Sequence, residues 1–329
     1  MKKQNKQPGQ GLAGLATGAL TLGAAWLAYS QFFIDHNMAL PPAIDSDMYF
    51  FNDPTAGLLY YYADRRGSGR PLVLIHSLNA AGSSYEMRPL FNRYRGTRPV
   101  YALDLPGFGF SERANRRYSP ELYAAAIRSF LSQVVGQPAD VVALSLGCEF
   151  VARAAVERPE MFHKLAFISP SGLTAGRKRK GSQRATDQNQ SDGLYRLLAA
   201  PLWAQALYDL LGTRRIIRFF LGKSFVGPID QGLADYGYLT AHRPGARHAP
   251  LHFVSGLLFT RNVRETIYEK LAQPVLVIYD RDAYVRFDAL SDLLLKCPNW
   301  NAARITPTLG LPHFEQPEAT GRVLEDFWA

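Results

Sequence analysis

The chain has little cysteine, with only Cys148 and Cys297 among 329 residues. Two thiols make neither a disulfide framework nor a cysteine-rich zinc cluster. Stability must therefore come from an apolar core, and a chain of this length with 47% hydrophobic residues can build a large one. No internal repeat is visible, which excludes solenoids and propellers. No zinc-like or RNA-binding signature accompanies the net charge of +9, so a nucleic-acid role has charge alone behind it. The excess collects at the N-terminus and in Arg177-Lys178-Arg179-Lys180, as an anionic membrane surface or a solvated loop would require.

Charge is missing altogether between Gln7 and Ile34, just after Lys2, Lys3 and Lys6. The apolar part, from about Gly11 to Phe33, is long enough to cross a bilayer as a helix. Residues 1–34 are thus expected to be a signal anchor, with a cleaved signal peptide as the alternative, although no A-x-A site precedes Gln31. The positive-inside rule keeps the lysines in the cytoplasm and places the rest, a single-pass protein, on the extracytoplasmic side. Residues 35–57 read as a linker.

From Leu58 onward, short β-rich runs alternate with helix-length segments, the pattern of a mostly parallel, doubly wound α/β sheet. Strands are expected at Leu58–Ala63, Pro71–His76, Pro99–Leu103, Asp140–Leu144, Lys164–Ile168, Val275–Tyr279 and Ala303–Thr306. About 100 residues without a strand separate Gly172 from Gln273, and they carry apolar helices of their own. The core is accordingly assigned to 58–172 and 273–329, with 173–272 an inserted helical cap.

Val141-Val142-Ala143-Leu144-Ser145-Leu146-Gly147 is an apolar run that stops at a serine with small residues two positions to either side. Such a run reads as a nucleophile elbow, a strained strand-to-helix corner that exposes the hydroxyl. Cys148 follows at the start of a buried helix, which suits packing better than redox chemistry. Downstream stand an acid and a histidine, in the order Ser, Asp, His.

With these motifs the chain resembles the α/β-hydrolase fold superfamily from about Leu58 to its end. His76-Ser77-Leu78-Asn79 is similar to the family's oxyanion loop, and Asp104-Leu105-Pro106-Gly107-Phe108-Gly109-Phe110-Ser111 to its D-x-P-G-x-G-x-S loop. Three departures stand out. Ala143 replaces the usual first glycine of the elbow, Ser77 replaces the glycine after His76, and the acid loop Tyr279-Asp280-Arg281-Asp282 is irregular in register.

The resemblance implies a triad of Ser145 as nucleophile, His313 as base and Asp282 as the acid that orients it, with Asp280 as the alternative acid. The backbone amides of Leu78 and Leu146 would form the oxyanion hole. His76 is expected to orient its loop and Asp104 to cap a turn. No metal is expected from His242, His248 and His252, and no cofactor is needed.

The expected activity is hydrolysis of a lipophilic carboxylic ester or thioester through an acyl-enzyme, at a membrane lipid surface. Leu202, Trp203, Leu207, Phe219, Phe220 and Phe259 of the cap are candidates to line an acyl pocket or simply to pack the cap. Acyl transfer and C–C bond hydrolysis are alternatives on the same triad. A silent, membrane-tethered binding protein is the remaining one, with Ser145, Asp282 and His313 in order arguing against it.

Overall fold

The computed structural model describes residues 9–174 and 184–329, with side chains described for 21–174 and 191–329. The lysines at 2, 3 and 6 and the run Arg177 to Lys180 lie outside the described residues. Eight strands form one sheet in the order β1-β2-β4-β3-β5-β6-β7-β8. They are β1 (Asp47–Asp53), β2 (Gly57–Asp64), β3 (Leu72–Ile75), β4 (Val100–Leu103), β5 (Ala139–Leu144), β6 (Phe162–Ile168), β7 (Val275–Tyr279) and β8 (Trp300–Arg304). β1 and β2 pair antiparallel, as do β2 and β4, and every later pair is parallel.

Strands buried on both faces need no polar alternation, and β3 and β5 have none. Val73, Ile75, Val141 and Ala143 enter the core on one face, while Leu72, Leu74, Val142 and Leu144 enter it on the other. Helices cover both faces, as the sequence predicts.

Two edge strands differ from that reading. β1 occupies part of the expected linker, and its apolar run Met48-Tyr49-Phe50-Phe51 is mostly exposed at the sheet edge. β2 begins after a turn in which Asp53 Oδ1 accepts the amides of Thr55 and Ala56. β8 starts at Trp300 rather than Ala303, an edge strand paired with β7 in which small and polar residues follow the buried Trp300.

The helices before the cap are α1 (Gly9–Phe33), α2 (Arg88–Tyr94), α3 (Pro120–Phe130) and α4 (Gly147–Glu157). Between β6 and β7 lie α5 (Arg184–Leu198), α6 (Ala204–Leu211), α7 (Arg214–Leu221), α8 (Gln231–Ala241) and α9 (His248–Val254), the inserted cap. The end of α1 rests on this cap, where the Trp26 indole donates to the Ala206 carbonyl at 2.8 Å. Among the described residues, no helix is long and apolar enough to cross a membrane.

Candidate functional site

Ser145 sits at the corner between β5 and α4 with φ of +52°, a left-handed backbone conformation that a serine adopts only when its surroundings impose it. Its amide donates to the Ile168 carbonyl at 2.9 Å and its carbonyl accepts from Cys148 at 3.1 Å, which holds the corner closed. A Cβ at Gly147 would lie 2.5 Å from the His76 carbonyl oxygen, so the position two after the serine has room for glycine only. Ala143, two before it, is fully buried. Ser145 itself is half-buried. Cys148 packs beneath the elbow, and burial pushes its thiol pKa well up, away from thiolate chemistry.

The loop expected to supply the oxyanion hole is built by buried polar groups. His76 is fully buried, donates from Nδ1 to the Ser77 carbonyl at 2.6 Å, and accepts the Leu105 amide on Nε2 at 3.0 Å. That pairing is the neutral imidazole, in keeping with burial lowering its pKa. Glu86 accepts the Ser77 amide and the Asn79 side-chain amide, each at 2.8 Å. Burial pushes the Glu86 carboxyl up to about 7. Ser77, the departure from glycine, accepts a second bond from Asn79 at 3.0 Å and so is absorbed into the loop. Asp104 caps two turns through the amides of Ser84 and Phe110.

Among the described residues the amides of Leu78 and Leu146 donate to no protein acceptor. Both residues are buried, at 2% and 1% exposure. Buried amides without a protein acceptor, one of them in the residue after Ser145, are the kind of donor that a developing oxyanion needs.

The acid loop separates the two candidate carboxylates. Asp280 binds Arg304 at 2.8 Å and the Thr308 amide at 3.0 Å, tying the ends of β7 and β8. Asp282 accepts the amides of Tyr284 at 2.6 Å and Val285 at 3.2 Å through Oδ1 alone. Burial raises its carboxyl pKa. Its Oδ2 faces Gly310, where an added Cβ would lie 3.0 Å away.

His313 is not joined to either expected partner. It is fully buried, and its Nε2 meets the Glu86 carbonyl at 2.7 Å. A carbonyl only accepts, so the proton is on Nε2, and Nδ1 is an acceptor that finds no partner. Burial lowers the ring's pKa to about 4, which keeps it neutral. A triad needs Nε2 toward the serine hydroxyl and Nδ1–H toward the carboxylate; here neither nitrogen makes that bond. The sequence places the three residue types in order, and the structure hydrogen-bonds His313 to Glu86 in place of Asp282 or Ser145.

Sequence reasoning missed Glu86 and Gly310. Glu86 carried a signal, a lone acid in an apolar helix start beside the oxyanion loop; Gly310 carried none beyond its place three residues before the histidine. In the cap, His242 and His252 donate to the carbonyls of Tyr238 and His248. No group of metal-ligating side chains occurs among the described residues. Leu202, Trp203, Phe219, Phe220 and Phe259 are exposed on the cap surface, and Leu207 is half-buried.

Known proteins share this fold. The uncharacterized hydrolase YugF of Bacillus subtilis is 30% identical over 118 residues, 35% of this chain and 42% of that protein. A 2-hydroxymuconate semialdehyde hydrolase of Pseudomonas putida is 30% identical over 110 residues, 33% of this chain and 39% of the other. The matched stretches thus span under half the length of these curated relatives. Among solved structures, a serine hydrolase of carbazole degradation superposes with a TM-score of 0.65 at 18% identity, over 86% of this chain and 98% of its own. A membrane phospholipase A, described as a bacterial virulence factor, superposes with a TM-score of 0.63 at 19% identity, over 96% and 95%. The profile of the "Alpha/beta hydrolase family" matches residues 72–323, the stretch from β3 to the last helix, and the chain belongs to that family.

Proposed function

We propose that Ser145 is the nucleophile of an acyl site that takes the carbonyl of a lipophilic ester or thioester, with the Leu78 and Leu146 amides receiving the oxyanion. The observation that carries this reading is the pairing of a serine at φ +52° with two amides that have no protein acceptor among the described residues. The preference for a lipophilic acyl group is supported by exposed Phe219 and Phe220 on the cap, and by exposed Leu22, Phe32 and Phe33 on the helix that rests against it. We also propose that α1 attaches the protein to a membrane with the acyl site on the extracytoplasmic side. Protease accessibility in intact cells tests that topology, and protection of the domain would refute it.

The acyl reading is tested with p-nitrophenyl esters of increasing chain length, with and without lipid vesicles, on the wild type and Ser145→Ala. Release that grows with chain length, gains from lipid and is lost in the variant supports it. Equal rates across chain lengths with no gain from lipid count against the lipophilic preference. A second reading, acyl binding without turnover, is favoured by one observation: among the described residues no imidazole is hydrogen-bonded to Asp282 or Ser145.

A further inference from the structure

Asp282 and Gly310 define a position that His313 does not fill. A side chain at residue 310 would begin 3.0 Å from Asp282 Oδ2, so 310 is where this carboxylate could orient an imidazole. His313 stands in the following helical turn, Pro312–Glu315, with its donor committed to the Glu86 carbonyl. The loop between them is pinned. Asp280 accepts the Thr308 amide at 3.0 Å, and Glu315 accepts the amides of Leu309 at 2.8 Å and Val226 at 2.6 Å. Bringing His313 to Asp282 would strain these bonds, of which the one between Thr308 and Asp280 is buried.

Resting on the reading of Ser145 as nucleophile, we propose that position 310 is the general-base position of this site. Glycine there leaves Ser145 without a side-chain base, and the protein takes acyl groups stoichiometrically from thioesters or other activated esters instead of hydrolysing them in turnover. In the acylation step the Ser145 Oγ–acyl bond forms, the bond to the thiolate or aryloxide breaks, and the hydroxyl proton leaves on that group. No further acceptor is required. Alkyl esters and hydrolytic release of the acyl group both depend on a base to move the proton. Removing a triad histidine costs on the order of 10⁶-fold in kcat, while the oxyanion donors and binding alone retain about 10³–10⁴-fold over water.

The test is the rate of fluorophosphonate attachment to Ser145, read by intact mass, in the wild type, His313→Gln, Gly310→His and Gly310→His/Asp282→Asn. Glutamine at 313 keeps a donor for the Glu86 carbonyl but has no basic nitrogen, and a rate within about threefold of the wild type is expected. Gly310→His is expected to gain at least about 10²-fold, and the added Asp282→Asn to remove most of the gain. A folded His313→Gln that loses 10²-fold or more, or a folded Gly310→His that gains nothing, overturns the proposal.

Because residue 310 has φ of +109°, which disfavours any side chain, one measurement uses the wild type directly. Any low-field imidazole–carboxylate resonance in its proton NMR spectrum should belong to the His36–Asp209 and His163–Asp140 pairs and persist in Asp282→Asn, and one that disappears in Asp282→Asn overturns the proposal. Labelling of Ser145→Ala at the wild-type rate refutes the nucleophile itself, a different failure.

Discussion

The hydroxyl of Ser30, in α1, donates to the carboxylate of Asp209, in α6, across 2.5 Å. Asp209 is 2% exposed and also takes His36 Nε2 at 3.0 Å and Gln205 Nε2 at 2.7 Å. Losing a buried acceptor of this kind costs about 2 kcal/mol. Asp209→Ala should lower stability by that amount in urea denaturation and raise hydrogen exchange in the second half of α1, whereas Asp209→Asn should do less of both.

The preceding residue on α6 reaches the other way. Tyr208 donates its hydroxyl to the Ala80 carbonyl at 2.7 Å, so one helical turn touches both α1 and the oxyanion loop. Tyr208→Phe is expected to cost about 1 kcal/mol and to slow attachment of a phosphonate to Ser145 severalfold. An unchanged rate would show that the loop keeps its shape without this tie.

Gly147 has no space for a side chain, since the obstacle 2.5 Å away is the His76 backbone carbonyl and not a mobile group. Gly147→Ala should therefore destabilise by about 3 kcal/mol and abolish labelling of Ser145. Ala143→Gly changes only backbone freedom and should cost about 1 kcal/mol or less. Thermal melts with labelling on the same samples check both.

Glu86 gives stability a pH dependence with a definite sign. Its carboxyl stands at about 7 in the fold against an ordinary 4.5, so the folded state holds the proton more tightly. The contribution is full below about 4.5 and is lost as pH rises through about 7, a difference of roughly 3 kcal/mol. Melting temperatures of the wild type should fall more steeply between those limits than those of Glu86→Gln. Parallel curves would remove Glu86 as the source.

The parallel sheet was legible in the sequence because its strands are buried on both faces and stand as unbroken apolar runs. β1 was not, since its short run Met48-Tyr49-Phe50-Phe51 is mostly exposed at the sheet edge and stands outside the alternation of strands and helices that starts at Leu58. The elbow was legible through size alone, a small residue on each side of Ser145. The base was not, because order along the chain does not report direction. His313 follows Asp282 in sequence as a triad histidine would, yet its ring turns to Glu86 while Gly310 faces the acid. Both candidate acids were visible, but only contacts separate Asp280, spent on Arg304 and Thr308, from Asp282.

The most direct measurement is the mass of the intact protein, with peptide mapping, after incubation with a long-chain acyl thioester. The account predicts one acyl group on the Ser145 peptide, absent in Ser145→Ala. No adduct on the folded wild type, or an adduct that survives Ser145→Ala, would contradict it.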